Sequence, residues 1–551
     1  MTIELILSVM PPLAAIILAL ITRQVIPSLL IGLWIGSFIA SPGFISSIAT
    51  MADYIVNTLS DRGNLDVLLF LYAFSGLVAV IELSGGVQGF AKFLSRLIRS
   101  KRGALLGLWA LIPITFIDCG FRVVATGSIM KPIIQKQGIS RERFAYMLNN
   151  SASPVVAIIP IATTFVGYMV GVVASGLQVA GSGASPYIIF LQSIPFNFFS
   201  LASFGVVLLS VLGILNFRVM KKMEEENPKD EEVEERSKQM TGQPDYQDQL
   251  TTKQGMGMTF AAETGQEISP DIHEQNLKGP KDDRHTEHGQ MNTEKKHNEV
   301  HHTGQHKEHG DMHMDHEMGQ IDMNIEPRPW NLIVPIMVII PLSFYLMWWS
   351  GRGKGRNTLL DIFSNADSSR AMLLALLITT MVSFIFYRFQ GIHLKEMVSR
   401  FVKGGNRLMM TIAILAVAWP IARVSKDLGL PKLITMTIGN TLPAFLVPVT
   451  VFLITAAVTF FIGSSWGTWA LTMPLAIPLA VVSGAFIPMT VGAVFAGGTF
   501  GDVSSPLSGM GAMASGIAEV EHMDYITAQM PYNLLAAALA AVAFLVVPLI
   551  M

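Results

Sequence analysis

Asp502 is a carboxylate in a place where this chain otherwise carries almost no charge. It stands in GTFGDVSSPLS (Gly498–Ser508), deep inside an apolar run, beside Ser504, Ser505 and the helix breaker Pro506. A carboxylate and two hydroxyls are hard oxygen donors of the kind a small alkali cation accepts in place of water. Pro506 lacks an N–H, which frees an upstream carbonyl for the same purpose. Desolvation favours the neutral form of a carboxyl, whereas a neighbouring cation favours the charged form. One such group can therefore hold a proton or a metal ion but not readily both, and that competition is the chemistry of exchange.

The first half of the chain offers a comparable set. DCGFRVVATGSIMKP contains Asp118, Arg122 and Thr126, and NNSASP contains Asn150, Ser151 and Ser153. In the second half GSSWGTW adds Ser464, Ser465 and Thr468. Each candidate has a plainer reading. Asp118 could end a helix and pair with Arg122 four residues on, while Arg122 could equally gate the path or meet an anionic substrate group. Asp502 could be a helix cap, and the serines could simply let helices pack closely. Cys119 reads as a small packed residue, and Glu82, Arg423 and Asp427 read as span ends whose side chains reach water.

The elements that must position these residues are membrane spans. The 551-residue chain is 51% hydrophobic and 14% charged, against about one-quarter charged in soluble domains. Outside a polar segment from about 217 to 329, it is a succession of apolar runs about 20 residues long, each able to cross a bilayer as a helix. Spans are expected near 5–22, 25–40, 65–84, 103–118, 145–174 and 188–216. After the polar segment they are expected near 330–350, 370–388, 407–424, 434–461, 485–500 and 527–550. Stretches 118–135 and 462–480, studded with Gly, Ser, Thr and Pro, read as broken or re-entrant helices. The first run has no basic leader or cleavage site and reads as a retained span. The single cysteine excludes a disulfide framework. Lys and Arg clusters at 96–102, 136–143, 218–222 and 388–407 mark the cytoplasmic loops.

The halves also resemble each other. Phe116-Ile117 and Phe461-Ile462 each open a polar, small-residue stretch, and each stretch leads to an amide or acid followed by x-Ala/Ser-Ser-Pro: NNSASP at Asn149–Pro154, GDVSSP at Gly501–Pro506. The expected architecture is an all-α polytopic membrane protein. Residues 1–216 and 330–551 form two inverted repeats with broken helices at the midplane, a construction common among secondary transporters.

With these motifs the chain resembles the NhaC-type sodium/proton antiporter family, within the wider ion-transporter superfamily. The resemblance lies in GSSWGTW, in AGGTFGDVSSPLS (Ala496–Ser508) and in TGSIMKPIIQKQGISRERFAYMLNNSASPV (Thr126–Val155). It implies a multi-pass exchanger of the bacterial cytoplasmic membrane, moving sodium out as protons enter. It also implies that Asp118, Asn150, Ser464, Ser465, Thr468 and Asp502 lie at or near the path. The chain departs from the family where it has Asp118-Cys119 in place of an acidic pair, Asn150 in place of an Asp, and Gly509 in place of a further Asp. The superfamily also holds carriers of organic acids and amino acids, so exchange or symport of such a solute stands as the alternative.

The polar segment holds ten of the twelve histidines. Its mixed charge and scarcity of apolar residues predict a disordered, cytoplasmic insert. His301, His302, His306, His309, His313 and His316 form a weak candidate metal site or a proton sensor, beside the plainer reading of a solvated linker. No phosphate-cradling GxxxxGKS/T, nucleophile elbow or HExxH helix is present, so neither an ATP-driven pump nor an enzyme is indicated. The expected partners are lipid and small cations, with sodium and protons as cargo and no cofactor. Nucleic acid has no support, and a homodimer is left open.

Overall fold

Backbone N–H and C=O groups cannot go unpaired in hydrocarbon, so apolar runs of this length must close their hydrogen bonds within helices. The computed structural model describes residues 7–89, 98, 100–116, 118–161, 163–226, 326–352, 362, 366–438 and 442–551, where all regular structure is helical. The His-rich stretch, with His301, His302, His306, His309, His313 and His316, lies outside the described residues.

The first half opens with α1 (Met10–Thr22), α2 (Val25–Ala40), α3 (Phe44–Leu59) and α4 (Arg62–Leu83). There follow α5 (Lys101–Ala110), α6 (Ile112–Thr115) and α7 (Cys119–Lys136), then α8 (Arg141–Asn150), the single turn α9 (Ser153–Val156) and α10 (Thr164–Ala180). α11 (Pro186–Ser193), α12 (Phe198–Val211) and α13 (Arg218–Glu226) close it. The second half contains α14 (Trp330–Gly351), α15 (Ser368–Arg388), α16 (Leu394–Asn406), α17 (Met409–Asp427) and α18 (Leu430–Ile438). It ends with α19 (Val447–Ile462), α20 (Ser465–Ser483), α21 (Ile487–Ser504), α22 (Gly509–Ala518) and α23 (His522–Ile550).

Among the described residues seven helices are long and apolar enough to cross a membrane. The number rises to nine if the pairs α2–α3, bent by 115°, and α11–α12, bent by 40°, each count as one span. The chain is an all-α polytopic membrane protein.

Several expected spans are divided. The run 103–118 is α5 and α6, the first arm of a hairpin whose second arm is α7. Lys101 Nζ at its start donates to the Gly138 carbonyl just past its end, at 2.9 Å. The run 145–174 is interrupted, because α8 stops at Asn150 and α10 begins only at Thr164. Pro154 and Pro160, without N–H groups, fall in the gap. The stretch 462–480, expected to be broken or re-entrant, is the continuous helix α20, the second arm of a hairpin with α19. Its break precedes it, at Gly463, whose φ of +78° reverses the chain after α19. The run 434–461 is split between α18 and α19, and α3, an amphipathic segment with Asp53, Asn57 and Thr58, is a helix that hydropathy did not mark.

The two hairpins share a design. α7 starts from the N-cap Asp118, whose Oδ1 accepts the Phe121 N–H, and α20 starts from the N-cap Ser464, whose Oγ accepts the Gly467 N–H. Each hairpin is followed by a helix that stops at the Asn/Asp-x-Ala/Ser-Ser-Pro element. The starts of α10 and α20 lie side by side. Phe165 packs edge-on against Trp466 at 4.8 Å, and Gly176, further along, faces Met473 and Ile477.

Close backbone approach holds Asp502 in place. A Cβ at Gly497 would lie 2.7 Å from the Phe452 carbonyl oxygen and 2.8 Å from the Ala456 nitrogen, so α21 lies backbone to backbone on α19 there. Gly497→Ala is expected to lower stability by about 1–3 kcal/mol, read as a drop in apparent melting temperature. Gly516→Ala, where a Cβ meets nothing within 4 Å, serves as the control. Equal melting of the two variants would contradict this packing.

Candidate functional site

The ends of α8 and α21 and the starts of α7, α9 and α20 meet around Asp502. This carboxylate is 4% exposed. Its Oδ2 accepts a hydrogen bond from Ser153 Oγ at 2.6 Å, from the first half, 349 residues away. The N–H and hydroxyl of Ser465, the first residue of α20, both face the same carboxylate as hydrogen-bond donors, and the hydroxyl has no partner besides it. Ser504 Oγ, two residues on and so turned to another side of α21, is buried and without a partner. No basic side chain offsets Asp502 among the described residues. A buried carboxylate with hydroxyl donors around it and no basic partner suits a small cation, which supplies the missing charge.

Asp118 is half-buried at the start of α7. Its Oδ1 accepts the Phe121 N–H at 2.9 Å and its Oδ2 accepts the Thr164 hydroxyl at 2.8 Å. Cys119, which follows Asp118, is a buried residue, 4% exposed, beside the Ser153 hydroxyl. Among the described residues no group of three or more His, Cys, Asp and Glu is arranged to hold a metal ion.

Arg122 does not pair with Asp118. The fully buried guanidinium donates from Nε to the Ser151 carbonyl (2.5 Å), from Nη1 to Thr115 Oγ1 (2.6 Å) and from Nη2 to the Leu108 carbonyl (3.1 Å). It ties the hairpin arm α5–α6 to α7 and to the break after α8. The charge is spent on neutral oxygens that interrupted helices leave open, rather than turned toward a substrate anion.

The other candidates are spread out. Thr126 Oγ1 lies 3.4 Å from Thr115 Oγ1, on the Arg122 side. Asn150 donates to the Tyr146 carbonyl and to Gln529 Oε1, and its Oδ1 accepts from Ser203, so all its polar atoms are engaged away from Asp502. Ser151 Oγ donates to Leu148 within its own helix. Thr468 Oγ1 donates to the Ser464 carbonyl, and Ser505 Oγ to the Phe460 carbonyl. Ser464 caps α20.

The carbonyl next to Asp502, at the end of α21, is taken by three side-chain amides. Val503 O accepts from Gln529 Nε2 (2.8 Å), Asn149 Nδ2 (3.2 Å) and Asn533 Nδ2 (3.4 Å). Gln529 and Asn533 escaped the sequence reading, although two amides four residues apart in an apolar span are a legible signal. Thr164, following Thr163 just past a break, was a second such signal. Ser153→Ala removes the charge-assisted hydrogen bond to Asp502, worth about 1.5–3 kcal/mol, and Ser153→Thr keeps it.

The chain is similar to known proteins in sequence and in fold. Residues 291–549 match the sequence model of the Na+/H+ antiporter family. An uncharacterized protein of Haemophilus influenzae is 24% identical over 559 residues, covering 98% of this chain and 90% of that protein. The fold is similar to that of the YdaH transporter of Alcanivorax borkumensis (TM-score 0.53, 13% identity, 91% of this chain and 89% of that one). It is also similar to that of Neisseria gonorrhoeae MtrF, described among antimetabolite efflux pumps (TM-score 0.54, 12% identity, 95% of this chain and 94% of that one).

Proposed function

We propose, for a transporter whose second half belongs to the Na+/H+ antiporter family, that the chain exchanges sodium for protons across the bacterial cytoplasmic membrane. Asp502 is the coupling carboxylate. The observation that carries this reading is the contact of Ser153 with Asp502, which joins an uncompensated buried acid to the opposite half at a break in both. When sodium occupies the pocket, the carboxylate is charged and shares the ion with the hydroxyl oxygens of Ser153 and Ser465. When sodium leaves, a proton neutralises the acid, because an unpaired charge at this depth is costly. Alternating access follows if the parts carrying the two ends of that contact move relative to the surrounding helices.

Everted vesicles containing the protein should lose a preformed pH gradient on addition of sodium, and a panel of lithium, potassium and sodium would rank the cations. A gradient indifferent to all three would refute exchange. The alternative cargo, an organic acid or amino acid, calls for a free cationic group in the pocket. The obvious one, Arg122, already has three oxygen partners, which weighs against that cargo. Organic efflux of the kind described for MtrF would be detected as radiolabelled solute flux in the same vesicles.

A further inference from the structure

A second polar chamber lies apart from Asp502, at the end of α4 remote from the Glu82–Arg407 ion pair. It measures about 440 Å³ and is walled by the ends of α3, α4, α10 and α17. A contiguous chamber of about 220 Å³ shares Asp61, Asn64 and Ala174 with it and reaches inward to Val67 and Gly171. The charged groups facing the larger chamber are Asp61, Asp427 and Arg423. Asp61 Oδ1 accepts the N–H groups of Gly63 and Asn64. Asp427 Oδ2 accepts the Tyr54 hydroxyl at 3.2 Å and lies 3.5 Å from Arg423 Nε, a long and solvent-exposed contact.

Two features separate this chamber from an ordinary acidic surface. Ser175, which lines it, is 5% exposed, and its hydroxyl has no hydrogen-bond partner. Moreover, one face of α10 runs from the chamber to the carboxylate site. Gln178, Ser175, Gly171, Gly167 and Thr164 recur at three- or four-residue steps, and Thr164 is bonded to Asp118. Gly171 is about 10 Å along the axis from Thr164. Two aromatic rings close the way between them. Trp419 Nε1 donates to the Gly171 carbonyl at 3.1 Å, and the Phe70 ring fills the space where a Gly167 side chain would stand.

We propose that this chamber is an outer subsite for a hydrated monovalent cation, held by Asp427 and Asp61 with the Ser175 hydroxyl, one step before the ion sheds its water at Asp118 and Asp502. The volume accommodates an ion with its water shell rather than a bare ion. Basic loops gather at the opposite ends of α4 and α17, which makes the chamber the outer one. In transport the subsite serves the exchange proposed above, but its occupancy can be measured without any transport.

Thallium(I), a monovalent cation that quenches indole fluorescence by contact, is the probe. It is applied to the full-length protein in detergent, with neutral acrylamide as the paired quencher. The Trp419 signal is the difference between the protein and its Trp419→Phe variant. Asp427→Asn and Asp61→Asn, which keep the hydrogen bonds to Tyr54 and to the α4 N-terminus, should each reduce thallium quenching of Trp419 by about threefold or more. Acrylamide quenching should stay unchanged, and sodium should compete with thallium. Thallium quenching unaltered in both variants overturns the subsite. A parallel loss with both quenchers also overturns it, since the acids would then shape the chamber rather than hold an ion. Absence of sodium/proton exchange in vesicles, with thallium quenching behaving as expected, would sink the exchange reading and leave the subsite standing.

Discussion

Asp502→Asn is expected to abolish sodium-dependent collapse of the pH gradient, a fall of about 100-fold or more, equivalent to roughly 2.7 kcal/mol of lost stabilisation of the loaded state. The substitution keeps shape and size, and an amide oxygen can still accept the Ser153 hydroxyl. What it removes is the ability to carry a charge. An amide neither takes up a proton nor balances a cation, so loaded and empty states no longer differ in the way coupling requires. The buried carboxylate is surrounded by hydroxyls and lacks a basic partner among the described residues, so its removal should leave melting unchanged or raise it. Activity and stability therefore move independently, which distinguishes a working group from a structural one. Retention of more than half the wild-type signal in Asp502→Asn would end the case for this residue as the coupling group.

Arg122→Gln is expected to produce the largest stability loss, about 3 kcal/mol or more. It strands the Ser151 and Leu108 carbonyls in a buried setting, where an open acceptor costs about 1–3 kcal/mol each. Arg122→Lys should fail to restore it, because one ammonium cannot reproduce a planar fork that reaches three oxygens in different directions. Apparent melting temperature and the monodisperse fraction on gel filtration report the effect. If instead Arg122→Lys folds normally and changes only which solutes are carried, Arg122 is a substrate contact and the staple described above is wrong.

The breaks were legible because their cause is local. Gly463, Pro154 and Pro506 stand at breaks among small polar residues, whereas Pro474 and Pro478 lie inside the continuous α20, and a charge such as Asp502 in an apolar run announces itself. The partners were not legible, since they come from elements hundreds of residues apart. Nothing near Ser153 in sequence marks it as the donor to Asp502, and its likeness to Ser505 in the repeat misleads, for Ser505 binds the Phe460 carbonyl. Arg122 was misjudged for a related reason: its acceptors are two backbone carbonyls and a threonine, and carbonyls have no sequence signature. Asn150 and Thr126 have suitable chemistry, but their polar atoms are engaged elsewhere. Helix α3 went unmarked because hydropathy finds spans, and α3 is amphipathic.

Three amides converging on the Val503 carbonyl bear on how the protein moves. Asn149 comes from α8, while Gln529 and Asn533 come from α23, so one oxygen rivets three helices from both halves at the residue next to Asp502. Turning α21 against either neighbour would shear that joint. The stroke is cheaper if these three helices travel as a single block and the bending is taken up outside that joint.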